Sequence, residues 1–121
     1  MKQIKLACLL LIVSFLLSHT HLAHGHAVVT EHSLKITPVQ AGKASQVSLD
    51  FNSQIELGLS RFYLVKVNDE SQPVKFSAGT KAGQVILALP PLNSGDYALS
   101  FKVLAADGHI SEDIIHFTVK P

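Results

Sequence analysis

Apolar and polar residues alternate with period two along much of the chain. Val47, Leu49 and Phe51 interleave with Ser48, Asp50 and Asn52; Tyr97, Leu99, Phe101 and Val103 interleave with Ala98, Ser100, Lys102 and Leu104. Such alternation marks strands with one face in a core and the other in water. Shorter runs predict further strands at Leu34–Thr37, Phe62–Val67, Val74–Phe76, Val85–Leu89 and Ile114–Val119. The last puts Ile115, Phe117 and Val119 on one face and His116 on the other. Between these runs lie Gln40–Lys43, Asn68–Ser71, Ser77–Thr80, Asn93–Asp96 and Asp107–His109, whose Gly, Asn and Asp residues suit tight reversals. About seven short strands so spaced predict an all-β fold, an Ig-like antiparallel β-sandwich of Greek-key type. Helical periodicity is missing after residue 25, apart from a single turn near Ile55–Ser60, and no repeat or low-complexity stretch occurs.

The start of the chain follows a different pattern. Lys2 and Lys5 precede a 12-residue apolar stretch, Leu6–Leu17, too short to span the roughly 30 Å hydrocarbon core of a bilayer comfortably. Ala23-His24-Gly25 then supplies the small residues of a cleavage site, so residues 1–25 are expected to be a removed signal peptide and His26 the first mature residue. A cut after Ala23, making His24 the first residue, is the competing choice. Cys8 sits too early, and ahead of too much apolar sequence, for a lipid-anchoring site, and reads as filler in the signal.

Removing residues 1–25 from 121 leaves 96, with 8 basic residues against 9 acidic ones and neither Cys nor Met. The mature chain is therefore one domain, 26–121, held together without disulfides and lacking soft sulfur ligands. With its charges nearly balanced and scattered it has no basic block for nucleic acid. The expected location is the periplasm.

What chemistry the mature chain offers lies in His26, His32, His109 and His116. At a newly cut terminus, His26 carries an α-amine and an imidazole on one residue, able to chelate a single metal ion. Asp107-Gly108-His109 puts a carboxylate and an imidazole two residues apart, with Gly108 permitting the bend that lets them converge. Alone, an Asp-Gly-X reversal is ordinary in a β protein, and a terminal histidine is usually just solvated. Together they form an N3O donor set that suits tetragonal Cu(II), the strongest binder among the divalent first-row metals, with Zn(II) a weaker competitor. His32, in a polar stretch, and His116, on an outward strand position, read first as solvated surface residues.

The chain resembles the CopC family of periplasmic copper-resistance proteins, including its YobA-like members. The resemblance rests on His26-Ala27, on Phe51-Asn52-Ser53-Gln54-Ile55-Glu56, and on the closing block. In that block Leu92-Asn93-Ser94-Gly95-Asp96-Tyr97, Val103–His109 and Phe117-Thr118-Val119 are similar to the family's L-x-x-G-x-Y, V-x-S-x-D-G-H and F-x-V in order and spacing. It implies an Ig-like sandwich that binds one Cu(II) through the His26 amine and imidazole, with Asp107 and His109 completing the metal site. It also implies two partners, the copper ion and an inner-membrane copper transport protein of the CopD kind. Departures are Val28-Val29 and Ser33-Leu34-Lys35 near the first strand, Phe101 where a tryptophan is common, and the absence of a methionine-rich loop for Cu(I).

Three functions from different classes follow. The leading expectation is a monomeric, non-enzymatic Cu(II)-binding protein for copper resistance and homeostasis, which sequesters copper or passes it on. The alternative is a metal-free Ig-like interaction module, since one sandwich serves many tasks. The third is a copper mono-oxygenase, disfavoured by a chain with no Trp and only Tyr63 and Tyr97 to form a sugar-binding face.

Overall fold

The computed structural model describes residues 26–121; the expected signal, residues 1–25, lies outside them. Eight strands are formed: β1 (Val29–His32), β2 (Ser45–Phe51), β3 (Arg61–Val65), β4 (Ser71–Pro73), β5 (Lys75–Ala78), β6 (Gln84–Leu89), β7 (Gly95–Leu104) and β8 (Ile110–Val119). They make two four-stranded antiparallel sheets, ordered β1-β2-β6-β5 and β4-β3-β7-β8. Successive strand pairs alternate between the sheets, so the apolar face of each sheet closes on the other, as the period-two pattern requires. Val47, Leu49 and Phe51 of β2 and Leu99, Phe101 and Val103 of β7 are buried between the layers. Phe101 meets Phe51 edge-on at a ring separation of 5.6 Å and lies 5.9 Å from Phe62. It thus serves the core in the place where a tryptophan was the common alternative.

Three expectations about strands are corrected. The strand predicted at Leu34–Thr37 is instead β1, four residues long and set earlier, followed by a 3-10 turn at Ser33–Lys35. The Ser33 hydroxyl accepts the Ser48 N–H at 2.9 Å, occupying a group on β2 that a longer first strand would have used. Pro38 further discourages extension. The run Val74–Phe76 is split, with β4 pairing to β3 and β5 to β6. The break falls at Val74, which donates its N–H to Phe62 O at 3.0 Å and turns its side chain into the core before β5 joins the other sheet. Finally β3 stops at Val65 rather than Val67: Lys66 N–H donates to Glu70 O and Asp69 N–H to Lys66 O, closing a turn that leaves Val67 exposed. The turn near Ile55–Ser60 is present as a 3-10 turn, Leu57–Leu59.

The sheet edges β1 and β8 matter most for the site. The chain before β1 runs beside the start of β8, where Ala27 N–H donates to Ser111 Oγ at 3.1 Å. At the far end of the same seam, Lys120 N–H donates to Val39 O and Ala41 N–H to Lys120 O. Among the described residues no helix is long and apolar enough to cross a membrane.

Candidate metal centre

Asp107, Gly108 and His109 form the tip of the β7–β8 hairpin. Ala105 N–H donates to His109 O at 2.8 Å and Gly108 N–H to Ala105 O at 2.9 Å, with Gly108 at φ +93°, a conformation that L side chains rarely adopt. A neighbouring loop supports the tip from below, because Ala106 N–H donates to Gln54 O and Glu56 N–H to Leu104 O. This gives the Phe51–Glu56 stretch, singled out in the sequence, a structural role beneath the reversal.

Within the tip, Asp107 binds its neighbour twice. Its Oδ1 accepts the His109 N–H at 3.1 Å, and its Oδ2 lies 3.1 Å from His109 Nδ1. The backbone N–H of His109 is the main reason the Asp107 carboxyl is held below its ordinary range, and the imidazole adds to the effect. With Nδ1 facing the carboxylate, Nε2 of His109 is the nitrogen left to point outward. Both side chains remain about half exposed, so the tip is open to solvent.

The first described residue, His26, is brought to the same place. The His26 ring lies 5.9 Å from that of His109, tilted by 52°. Two imidazoles bound to one ion through bonds of about 2.0–2.1 Å hold their ring centroids about 4.5–6.5 Å apart, so the observed spacing fits a shared metal. Ala27 is buried, and Val28 is held by Asn52, whose Oδ1 accepts the Val28 N–H at 2.9 Å while its N–H donates to Val28 O at 3.0 Å. The structure thus pairs His26 with His109, and Asp107 with His109. Among the described residues no three His, Cys, Asp or Glu side chains are drawn into a closed metal-holding group. Ser111 and Asn52 carry no sign of this anchoring in the sequence, because their partners, Ala27 and Val28, are distant along the chain.

His32 and His116 lie elsewhere. They line an open groove of about 430 Å³ along the seam between β1 and β8, together with Lys35 and Lys120. His116 is exposed, as its strand position predicted, whereas His32 is half-buried rather than solvated. Its Nδ1 is sealed from solvent without a hydrogen-bond partner among the described residues. Burial is the main cause that lowers the His32 pKa, and the nearby Lys35 charge lowers it further against a smaller opposing effect of Glu31. Two lysines beside these histidines make the groove a poor place for a divalent cation.

The CopC domain matches residues 29–120. The chain belongs to the CopC family. The match takes in Asp107, His109, Asn52 and Ser111 and begins three residues after His26. Among solved structures, the chain is similar to CopC from Methylosinus trichosporium OB3b, with 28% identity and a TM-score of 0.67, covering 79% of this chain and 95% of that one. It is also similar to PcoC, a methionine-rich copper resistance protein from Escherichia coli, with 20% identity and a TM-score of 0.60 over 78% of this chain and 99% of that one. At that identity the likeness to PcoC is one of fold. The methionine-rich character of PcoC has no counterpart here, since Met1 is the only methionine. Comparison with curated protein sequences finds no match.

Proposed function

We propose that this CopC-family chain is exported, loses residues 1–25, and as residues 26–121 binds one Cu(II) ion in the periplasm for copper resistance and homeostasis. The observation that carries the reading is the 5.9 Å approach of the His26 ring, at the chain start, to His109 of the Asp107–His109 reversal. In this reading His26 supplies its amine and imidazole, His109 its Nε2, and Asp107 a carboxylate oxygen that keeps a lone pair beyond its bond to His109. Copper is cargo here rather than a catalyst: three nitrogens and one oxygen stabilise the cupric state, and the open tip lets an acceptor reach the ion. The natural recipient is an inner-membrane copper transport protein, with sequestration the outcome where no acceptor is present.

The test compares the exported protein, its first residue fixed by mass spectrometry, with the same chain carrying one extra N-terminal methionine. The first should take up one equivalent of Cu(II) with a nitrogen-rich electron paramagnetic resonance spectrum, and the second should bind at least tenfold more weakly. His109→Ala should lose most of the affinity while its copper-free melting temperature stays near that of the parent. Equal binding by the native and methionine-extended chains would exclude the terminal amine as a ligand.

A further inference from the structure

Chain ends are ordinarily the least ordered part of a domain, and they become fixed only when something ties them down. His26 precedes the first residue of β1 by three positions, so its amine and ring cannot be placed by the β1–β2 ladder alone. Three contacts do the placing. The Ala27 side chain is 5% exposed and forms part of the core. Its N–H donates to Ser111 Oγ, and Val28 exchanges two hydrogen bonds with Asn52.

The two anchors come from different sheets. Asn52 directly follows β2, while Ser111 is the second residue of β8 and pairs with Val103 of β7. Ser111 therefore rides on the same hairpin whose tip carries Asp107 and His109, only two residues from His109. Of the three contacts, its hydroxyl is the one that ties the chain start directly to the hairpin bearing the reversal, where the two halves of the donor set must meet.

Which atoms of the terminus reach the metal is also affected. On a flexible peptide end, Cu(II) bound to the α-amine can close its chelate ring through the next backbone nitrogen, with that amide proton released to solvent. Here that nitrogen belongs to Ala27, a buried residue whose N–H is held by Ser111. The ring is left to close through the His26 imidazole.

We propose that Ser111, with Asn52 in support, is a positioning residue that holds residues 27–28 so that His26 presents its amine and imidazole, and not the Ala27 amide, to Cu(II) beside His109. This rests on the copper reading above.

The experiment uses the exported protein beginning at His26 and Cu(II) alone as the probe, at one neutral pH. Affinity is measured by competition with a chelator, coordination by electron paramagnetic resonance, and folding by the copper-free melting temperature. Ser111→Ala should weaken Cu(II) binding about five- to tenfold, the size expected for one lost hydrogen bond. Its spectrum should change to that of a mixed or amide-containing site. Ser111→Thr, which keeps the hydroxyl, should restore both affinity and spectrum. Asn52→Ala should weaken binding in the same direction, and it carries the decision should Ser111→Ala fail to fold. A folded Ser111→Ala protein with parental affinity and spectrum would overturn the positioning role, even if its melting temperature fell. Failure of the parent protein itself to bind Cu(II) would overturn the copper reading, and this inference along with it.

Discussion

At the scale of single residues, side chains of one type meet opposite fates according to what surrounds them. His116 stands exposed on β8, whereas His32, at the end of β1, has its Nδ1 sealed without a partner. Burial and Lys35 lower the folded-state pKa of His32 below 6.5, favouring the neutral ring. The unfolded chain then binds more protons than the folded one just below pH 6.5. Stability contributed by neutral His32 is therefore present above pH 6.5 and declines as the pH falls toward the lowered value. We expect His32→Gln to reduce the difference in urea midpoint between pH 7 and pH 5, with little effect from His116→Gln. An equal response of the two variants would show that burial does not distinguish them. The exposure of His116 was legible from its alternation with Ile115 and Phe117. That of His32 was not, because its surroundings are built by Leu34, Val39 and Phe117, residues from two separate parts of the chain.

Elements were legible where both pattern and punctuation were local. β2, β6, β7 and β8 include the runs that alternation marked, and the Asp107–His109 reversal lies between the last two as expected. Failures came where the chain left the expected ladder, as at Ser33, whose hydroxyl takes the Ser48 N–H, and at Val74, where it crosses from one sheet to the other. Glycines in loops give a direct test of what each turn requires. Gly83, at φ +77°, would place a Cβ 2.8 Å from the carbonyl oxygens of both Phe51 and Ser53, backbone atoms that cannot easily move away. Gly108 has φ +93° but open space where its Cβ would go. Gly108→Ala should therefore cost only the left-handed strain, about 1–2 kcal/mol. Gly83→Ala adds a steric clash and should cost about 2–4 kcal/mol. Denaturant midpoints in copper-free protein provide the comparison, and a larger loss at Gly108 would contradict the stated geometry.

For the whole molecule, the proposed centre joins segments that the sequence separates widely. The bond from Ala27 to Ser111 spans 84 positions, so Asp107 and His109 join the His26 chelate only in the folded chain, which therefore binds the ion more tightly than the unfolded one. At free Cu(II) one hundred times the folded chain's dissociation constant, that linkage amounts to at most about 2.7 kcal/mol, less whatever the His26 chelate binds in the unfolded chain. For a domain of this size each kcal/mol moves the melting temperature by about 4–8 °C, so copper should raise it by several degrees, up to about 10–20 °C. A chelator should reverse the rise, and the methionine-extended chain should show a much smaller one; an equal rise in both would place the ion elsewhere. By itself the sequence determined the sandwich class, most strands and the turn chemistry, because these depend on alternation and on the backbone preferences of near neighbours. Only the tertiary structure decided that His26 lies beside His109, that β1 stops at His32, and that Ser111 and Asn52 hold Ala27 and Val28. Those outcomes depend on which sheet edges pack together, and short-range preferences carry no record of contacts made across the whole chain.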